Sequence, residues 1–269
     1  MNALILAASC LLLPADASAA GKVAVVTGAA SGIGRALAQE AIKRGYVVAY
    51  VDKDSTGVLS ALSEVGASTA TALALTADVS VDADRERVFK EVLARFGGVD
   101  LFVSNAGYGY IATTGHAAVE DSRRMFDVNY FAAVDLARRV LALEKKPAAF
   151  VVVASVMGLR SGQPLMAQYS ASKHALVGWA RSAAPEFAGA GVRLKVACPA
   201  GTKTGFFKSA SGPDADVLRD KLKDVWEDFD AAPTVAKDIL DGLDAPGLFI
   251  FPGNARRSLS DEYLKALEN

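Results

Sequence analysis

The sequence predicts an α/β fold: a single doubly wound parallel sheet of about seven strands with helices on both faces. Three observations carry that expectation. From Lys22 onward, short apolar runs rich in β-branched residues alternate with segments of helical period; a glycine-rich turn follows the first run; and the second run ends on an acidic residue, Asp52. With 269 residues and 52% of them hydrophobic, the chain can bury one large core.

Lys22 to Thr27 reads as the first strand, since a strand covered on both faces shows a continuous apolar run rather than alternation. Ile33 to Arg44 has apolar positions at helical spacing and stops at Gly45, and Val47 to Val51 then forms the second strand, closing one βαβ unit. The scheme continues with a helix near Val58 to Val65, a strand at Ala72 to Leu75, a helix at Asp82 to Phe96 and a strand at Leu101 to Ser104. The second half repeats it: a helix over Glu120 to Leu143, a strand at Ala149 to Ala154, a helix over Tyr169 to Ala188, a strand at Val192 to Ala197 and a last strand at Leu248 to Phe251. Pro185 falls one turn before the end of its helix and is expected to kink or shorten it.

No linker or repeat divides residues 21–269, so one domain is expected. Within it, 201–230 mixes Gly, Lys, Ser and Asp with Phe206, Phe207, Trp226 and Phe229. That texture suits a lid over a substrate pocket, or equally a surface excursion packed by its own aromatics. Residues 1–20 form a separate apolar segment closed by small residues; it is too short to span a bilayer, and no Lys or Arg precedes Lys22. A weak signal peptide, an upstream start and a short amphipathic anchor all fit it. The rest of the chain reads as cytoplasmic.

A net charge of −1 with no basic run excludes nucleic acid as a partner. Cys10 and Cys198 are the only cysteines, and neither they nor His116 and His174 have metal-ligand spacing, so no metal is expected. A nucleophile elbow is also absent.

Directly after the first strand stand Gly28, Ala29, Ala30, Ser31, Gly32, Ile33 and Gly34. Such glycines let the backbone approach a pyrophosphate, and the N-terminus of the following helix supplies free N–H groups and a positive dipole end, as in a Rossmann-type dinucleotide site. Asp52 is placed to accept hydrogen bonds from the adenosine ribose hydroxyls, and its charge opposes a 2′-phosphate, favouring NAD over NADP; Lys53 and Arg35 blur that preference. Asp78 and Val79 follow the third strand where an adenine would lie, although an Asp-initiated turn explains them as well.

These motifs resemble the short-chain dehydrogenase/reductase family. Thr27-Gly28 with Gly32 and Gly34 is similar to its T-G-x-x-x-G-x-G turn, and Ser104, Asn105, Ala106, Gly107 to its N-N-A-G element with Ser in place of the first Asn. Cys198, Pro199, Ala200, Gly201, Thr202, Lys203 and Thr204 resemble its P-G-x-x-x-T segment, with Ala200 in place of Gly. The resemblance implies that Pro199, Thr202 and Thr204 lie by the nicotinamide, and that the chain forms a homodimer or homotetramer through the helices at Glu120–Leu143 and Tyr169–Ala188.

Tyr169 and Lys173 stand four residues apart, on one face of a helix. A free phenol has a pKa of about 10, so only about one in a thousand is ionised at neutrality; an adjacent ammonium, with an oxidised nicotinamide, is expected to lower it and poise Tyr169 as a general acid/base. Ser155 follows the fifth strand, where open sheets bind ligands, and precedes Tyr169 by the spacing found in the family. Asn129 interrupts the long helix as a poor helix former. The resemblance implies that Ser155 holds the substrate oxygen, that Lys173 holds phenolate and ribose, and that Asn129 binds a water linked to the lysine. Tyr108, Tyr110, Met157, Leu159, Pro164, Met166, Phe206, Phe207 and Trp226 are candidate pocket residues for an apolar or ring-bearing substrate.

The sequence thus points to hydride transfer between NAD and a small-molecule secondary alcohol or ketone. An NADP-linked carbonyl reductase and a non-enzymatic nucleotide sensor on the same fold are the alternatives.

Overall fold

The strand expected first, β1 (Val23–Thr27), is buried at every residue, as are β4 (Leu101–Ser104) and β5 (Ala149–Val153). Strands of this kind need cover on both faces, and the computed structural model of the chain, which describes residues 21–264 except 69, 161 and 262, provides it. The segment 1–20, with the leader and anchor readings attached to it, lies outside the described residues. Among the described residues no helix is long and apolar enough to cross a membrane.

With β2 (Val47–Asp52), β3 (Ala72–Thr76), β6 (Arg193–Ala197) and β9 (Phe249–Ile250), these strands form one parallel sheet of seven in the order β3-β2-β1-β4-β5-β6-β9. The order reverses between β1 and β4, and the crevice beyond their carboxyl ends is where such sheets bind ligands. One face is packed by α3 (Asp82–Phe96), α5 (Ala132–Ala142) and α6 (Ala167–Gly189). Rings run across it in succession, with Phe89 to Phe102 at 5.4 Å, Phe102 to Phe150 at 5.6 Å and Phe150 to Phe187 at 5.6 Å. The other face is covered by α1 (Gly32–Lys43), α2 (Ser55–Glu64) and α9 (Ala232–Asp241), through Leu37, Val58, Val235 and Ile239 among others.

Three elements depart from expectation. The single helix expected over Glu120–Leu143 is three pieces: α4 (Val119–Phe126), a π-turn at Asp127–Phe131 and α5. The π-turn centres on Asn129, whose buried amide is drawn aside by the Tyr108 backbone; it accepts from Tyr108 N–H and donates to Tyr108 C=O, both at 3.0 Å. Pro185 does not shorten α6, which runs on to Gly189. Pro185 and Arg181 are both exposed, so the carbonyl deprived of its partner faces water, while Phe187 anchors the last turn in the core. The helix α9 was not among the expected elements.

Residues between β6 and α9 build β7 (Thr202–Lys203), α7 (Phe206–Ser209), α8 (Ala215–Leu222), a 3₁₀ turn at Lys223–Asp228 and β8 (Asp230–Ala231), with β7 and β8 paired. This segment is stitched to the loop after β4: Ile111 N–H donates to Ser211 C=O at 2.8 Å and Ser211 N–H to Gly109 C=O at 3.0 Å.

Candidate active site

The turn after β1 is held open by close packing against the end of β4. Thr27 Oγ1 accepts from the backbone N–H groups of Asn105 and Ala106 at 3.0 Å, and Asn105 Nδ2 donates to Thr27 C=O at 2.9 Å. Gly28 and Gly32 take φ of +69° and +54°, which side-chain-bearing residues rarely adopt. Gly34 is fixed for a different reason, since a Cβ there would lie 2.1 Å from Gly28 O and 2.4 Å from Asn105 Nδ2. Ser31, Gly32, Ile33 and Gly34 therefore present the start of α1 bare to the cavity, a backbone concavity that fits a pyrophosphate-sized anion.

Asp52 closes β2 beside this turn. Its Oδ2 accepts from Ala30 N–H and its Oδ1 from Asp54 N–H, each at 3.0 Å, so the carboxylate is oriented by backbone before any ligand arrives. Arg35 is drawn into an ion pair with Glu64 at 2.5 Å, whereas Lys53 borders the cavity with no acidic partner among the described residues. Asp78 and Val79 also line the cavity, and Asp78 Oδ1 accepts from Ser80 N–H and Oγ, forming the turn that the sequence equally allowed.

At the other end, Ser155 leaves β5 and starts a 3₁₀ turn at Val156–Gly158. Its Oγ accepts from Met157 N–H at 3.1 Å and donates to Pro199 C=O at 3.4 Å, and it stands close enough to Tyr169 to favour the phenolate. Tyr169 and Lys173 lie on the first turns of α6, both buried, and Lys173 Nζ stands 5.8 Å from the centre of the Tyr169 ring while donating to Val153 C=O at 2.9 Å. Asn129 Nδ2 donates to Ser172 Oγ at 3.2 Å, which places Asn129 behind the pair rather than on the cavity wall.

Burial pushes the Tyr169 phenol up to about 12, against the nearby Ser155 hydroxyl, which lowers it. Burial also brings the Lys173 ammonium down to about 8, leaving it charged at neutrality. The lowering of the phenol expected from the sequence is thus opposed by the protein's own atoms, because desolvation outweighs the contribution of Ser155. Lys173 gives a stability signature. Its folded value lies below the 10.5 of an unburied lysine, so between about pH 8 and 10.5 the unfolded chain holds more protons and stability rises with pH. Denaturant unfolding at pH 7.5 and 9.5 should show wild type gaining about 2 kcal/mol relative to Lys173→Met, in which this contribution is gone. Parallel behaviour of the two proteins would place Lys173 in water.

A cavity of about 980 Å³ joins the two ends. Gly28, Asn105, Ala106 and Gly107 border it at the centre, and Pro199, Thr202 and Thr204 on the far side; Thr204 would lie 3.1 Å from a Cβ on Gly32. Tyr108, Met157, Met166, Phe206 and Phe207 line it as expected, but four candidates do not. Tyr110 is buried with its hydroxyl on Ala118 N–H, Leu159 belongs to the core, Pro164 is exposed at a separate surface depression, and Trp226 stands behind Phe229 at 5.5 Å. Sequence reasoning missed the C-terminal wall: Asn254, Arg257 and Ser258 border the cavity, as do Arg160 and Gln163. Asn254 is held by Asp230, which accepts from its N–H at 2.9 Å and its Nδ2 at 2.8 Å, and Tyr263 Oη donates to Leu159 C=O at 2.5 Å.

Residues 22–214 match the family model described as short chain dehydrogenase. The chain is 34% identical over 194 residues to a hydroxynaphthalene reductase-like protein of Metarhizium brunneum, covering 71% of this chain and 72% of that one. Among solved structures it is similar to a short chain dehydrogenase/reductase from Burkholderia phymatum in complex with NAD, with a TM-score of 0.80 and 27% identity over 93% of this chain and 96% of the other. It is also similar to the 3-ketoacyl-(acyl-carrier-protein) reductase of Brucella melitensis complexed with NADH, with a TM-score of 0.76 and 25% identity, covering 89% and 99% of the two chains.

Proposed function

The chain belongs to the short-chain dehydrogenase family, and on that premise we propose that it moves a hydride between NAD and the carbon of a secondary alcohol or ketone, with Tyr169 as general acid/base. The observation that carries this reading is the buried Ser155, Tyr169 and Lys173 cluster opening on the same cavity as the glycine turn. In oxidation, Ser155 Oγ and Tyr169 Oη hold the substrate hydroxyl, Tyr169 takes its proton, and Lys173 keeps a cation one helical turn from the phenolate. When bound, the oxidised nicotinamide supplies the hydride acceptor and a positive charge that offsets the desolvation of that phenolate. Asn129 anchors the turn beneath the lysine, where the family places a water.

The residues that would hold the dinucleotide are the turn at Gly28, Ser31, Gly32, Ile33 and Gly34, then Asp52, Asp78, Val79, Asn105, Ala106 and Gly107, and finally Tyr169, Lys173, Pro199, Thr202 and Thr204. The segment over 201–230 would serve as lid, with Phe206 set against Tyr169 at 5.3 Å, and its apolar lining favours a ring-bearing substrate. Screening hydroxysteroids, sugars, acyl thioesters, small cyclic alcohols and hydroxynaphthalenes for change in reduced nicotinamide tests the reading. Turnover of at least one class is expected, and none with either cofactor would favour a nucleotide-sensing role.

NAD is favoured over NADP by the fixed carboxylate of Asp52 and by Glu64, which occupies Arg35. Asp52→Ser should therefore raise the ratio of NADP-linked to NAD-linked kcat/KM by about tenfold or more. An unchanged ratio would remove Asp52 from cofactor choice and favour the NADP-linked carbonyl reductase. A homodimer or homotetramer through α4, α5 and α6 is proposed with the family, and Phe131, 57% exposed on that side, suits such an interface.

A further inference from the structure

Most arginines of the described chain are spent on acidic neighbours: Arg44 on Glu40 and Asp241, Arg85 on Asp82 and Asp135, Arg87 on Asp84 and Glu91, Arg219 on Asp216. Arg160 and Arg257 are not. Both are exposed, neither has an acidic partner within 4 Å among the described residues, and both border the large cavity. Their place in the fold puts them at its chemical end. Arg160 follows the 3₁₀ turn that Ser155 starts, and Arg257 lies in the C-terminal 3₁₀ turn at Ala255–Ser258. That turn is pinned at two points: Asn254 to Asp230 on one side, and Tyr263 to Leu159, next to Arg160, on the other.

Acidic side chains border the same region without neutralising the pair. Both carboxylate oxygens of Asp230 are engaged by Asn254, and Asp228 lies farther than 4 Å from either guanidinium. A guanidinium offers a planar fork of donors matched to carboxylate and phosphate oxygens, and an unpaired fork on a cavity wall is a ready recognition group. Tyr169 shares an apolar cluster with Phe207, Leu218 and Leu222, which line the same cavity.

We infer that Arg160 and Arg257 form an oxyanion-binding subsite, and that the substrate is an amphipathic alcohol or ketone whose apolar body lies on the lid while a carboxylate or phosphoryl group reaches the two arginines. The inference rests on the hydride-transfer reading of the cavity and narrows its substrate class. Both guanidiniums are exposed to solvent, so the pairing is screened and affinity should fall as salt is raised.

Calorimetric titration of the full chain, with NAD present in excess, tests this without requiring turnover. The probes are 2-naphthoate, 2-naphthyl phosphate and neutral 2-naphthamide. At least one of the two anions should bind about tenfold or more tightly than the amide, and which one does so separates a carboxylate subsite from a phosphoryl subsite. Arg160→Gln and Arg257→Gln should each weaken the anion several-fold and leave the amide unchanged. Arg181→Gln, which removes an exposed arginine of α6 outside the cavity, should change neither. Equal affinity for anion and amide, no measurable anion binding, or losses shared with Arg181→Gln would overturn the subsite. A separate assay of hydride transfer over the alcohol and ketone panel reports on the hydride-transfer reading, so the two failures remain distinguishable.

Discussion

Tyr169→Phe is expected to lower kcat about a thousandfold or more while NAD affinity stays within a few-fold. The substitution deletes one oxygen, the one whose titration Ser155 influences, and keeps the ring that packs on Phe206. A thousandfold corresponds to about 4 kcal/mol of barrier, more than loss of one neutral hydrogen bond explains, because the oxygen that exchanges the proton is itself removed. Steady-state rates beside calorimetric NAD binding separate the two effects. A variant retaining a tenth of the wild-type rate would mean that the proton leaves by another path.

Gly34→Ala should be nearly as severe for a different reason. The added Cβ meets Gly28 O at 2.1 Å and Asn105 Nδ2 at 2.4 Å, contacts that yield only if α1 moves away from the end of β1. That movement dismantles the concavity offered to the pyrophosphate. A loss of about 3 kcal/mol in stability and at least a hundredfold in NAD affinity is expected, measured by denaturant unfolding and calorimetry. Affinity within a few-fold of wild type would show that the dinucleotide does not use this turn.

Much of the architecture was legible because its causes are local. β1, β2 and β5 announce themselves as continuous apolar runs, since parallel strands are covered on both sides, and Gly28, Gly32 and Gly34 mark a turn that few other residues permit. Tyr169 and Lys173 were legible for the same reason, as helical spacing alone sets them on one face.

What escaped depends on contacts distant in sequence. Asn129 hinted at a disturbed helix, but the π-turn requires the Tyr108 backbone to take both ends of its amide. Pro185 was expected to kink or shorten α6 because its ring forbids one hydrogen bond; with Phe187 buried beyond it, the helix runs on to Gly189. The C-terminal wall is the clearest case. Nothing in Asn254, Arg257 or Ser258 marks them as pocket residues until Tyr263 reaches Leu159, 104 positions away. The same folding moved Tyr110, Leu159, Pro164 and Trp226 off the cavity wall, since side-chain direction in irregular segments follows packing rather than period.

The proposal that this cavity brings a nicotinamide ring to Tyr169 is tested most directly by the fate of the hydride itself. NADH deuterated at the reactive carbon should be incubated with a panel of ring-bearing ketones, and the products read by mass spectrometry. Deuterium on the new carbinol carbon, lost together with product formation in Tyr169→Phe, is the expected result. Alcohol product without the label, or labelled product formed equally well by Tyr169→Phe, would contradict it.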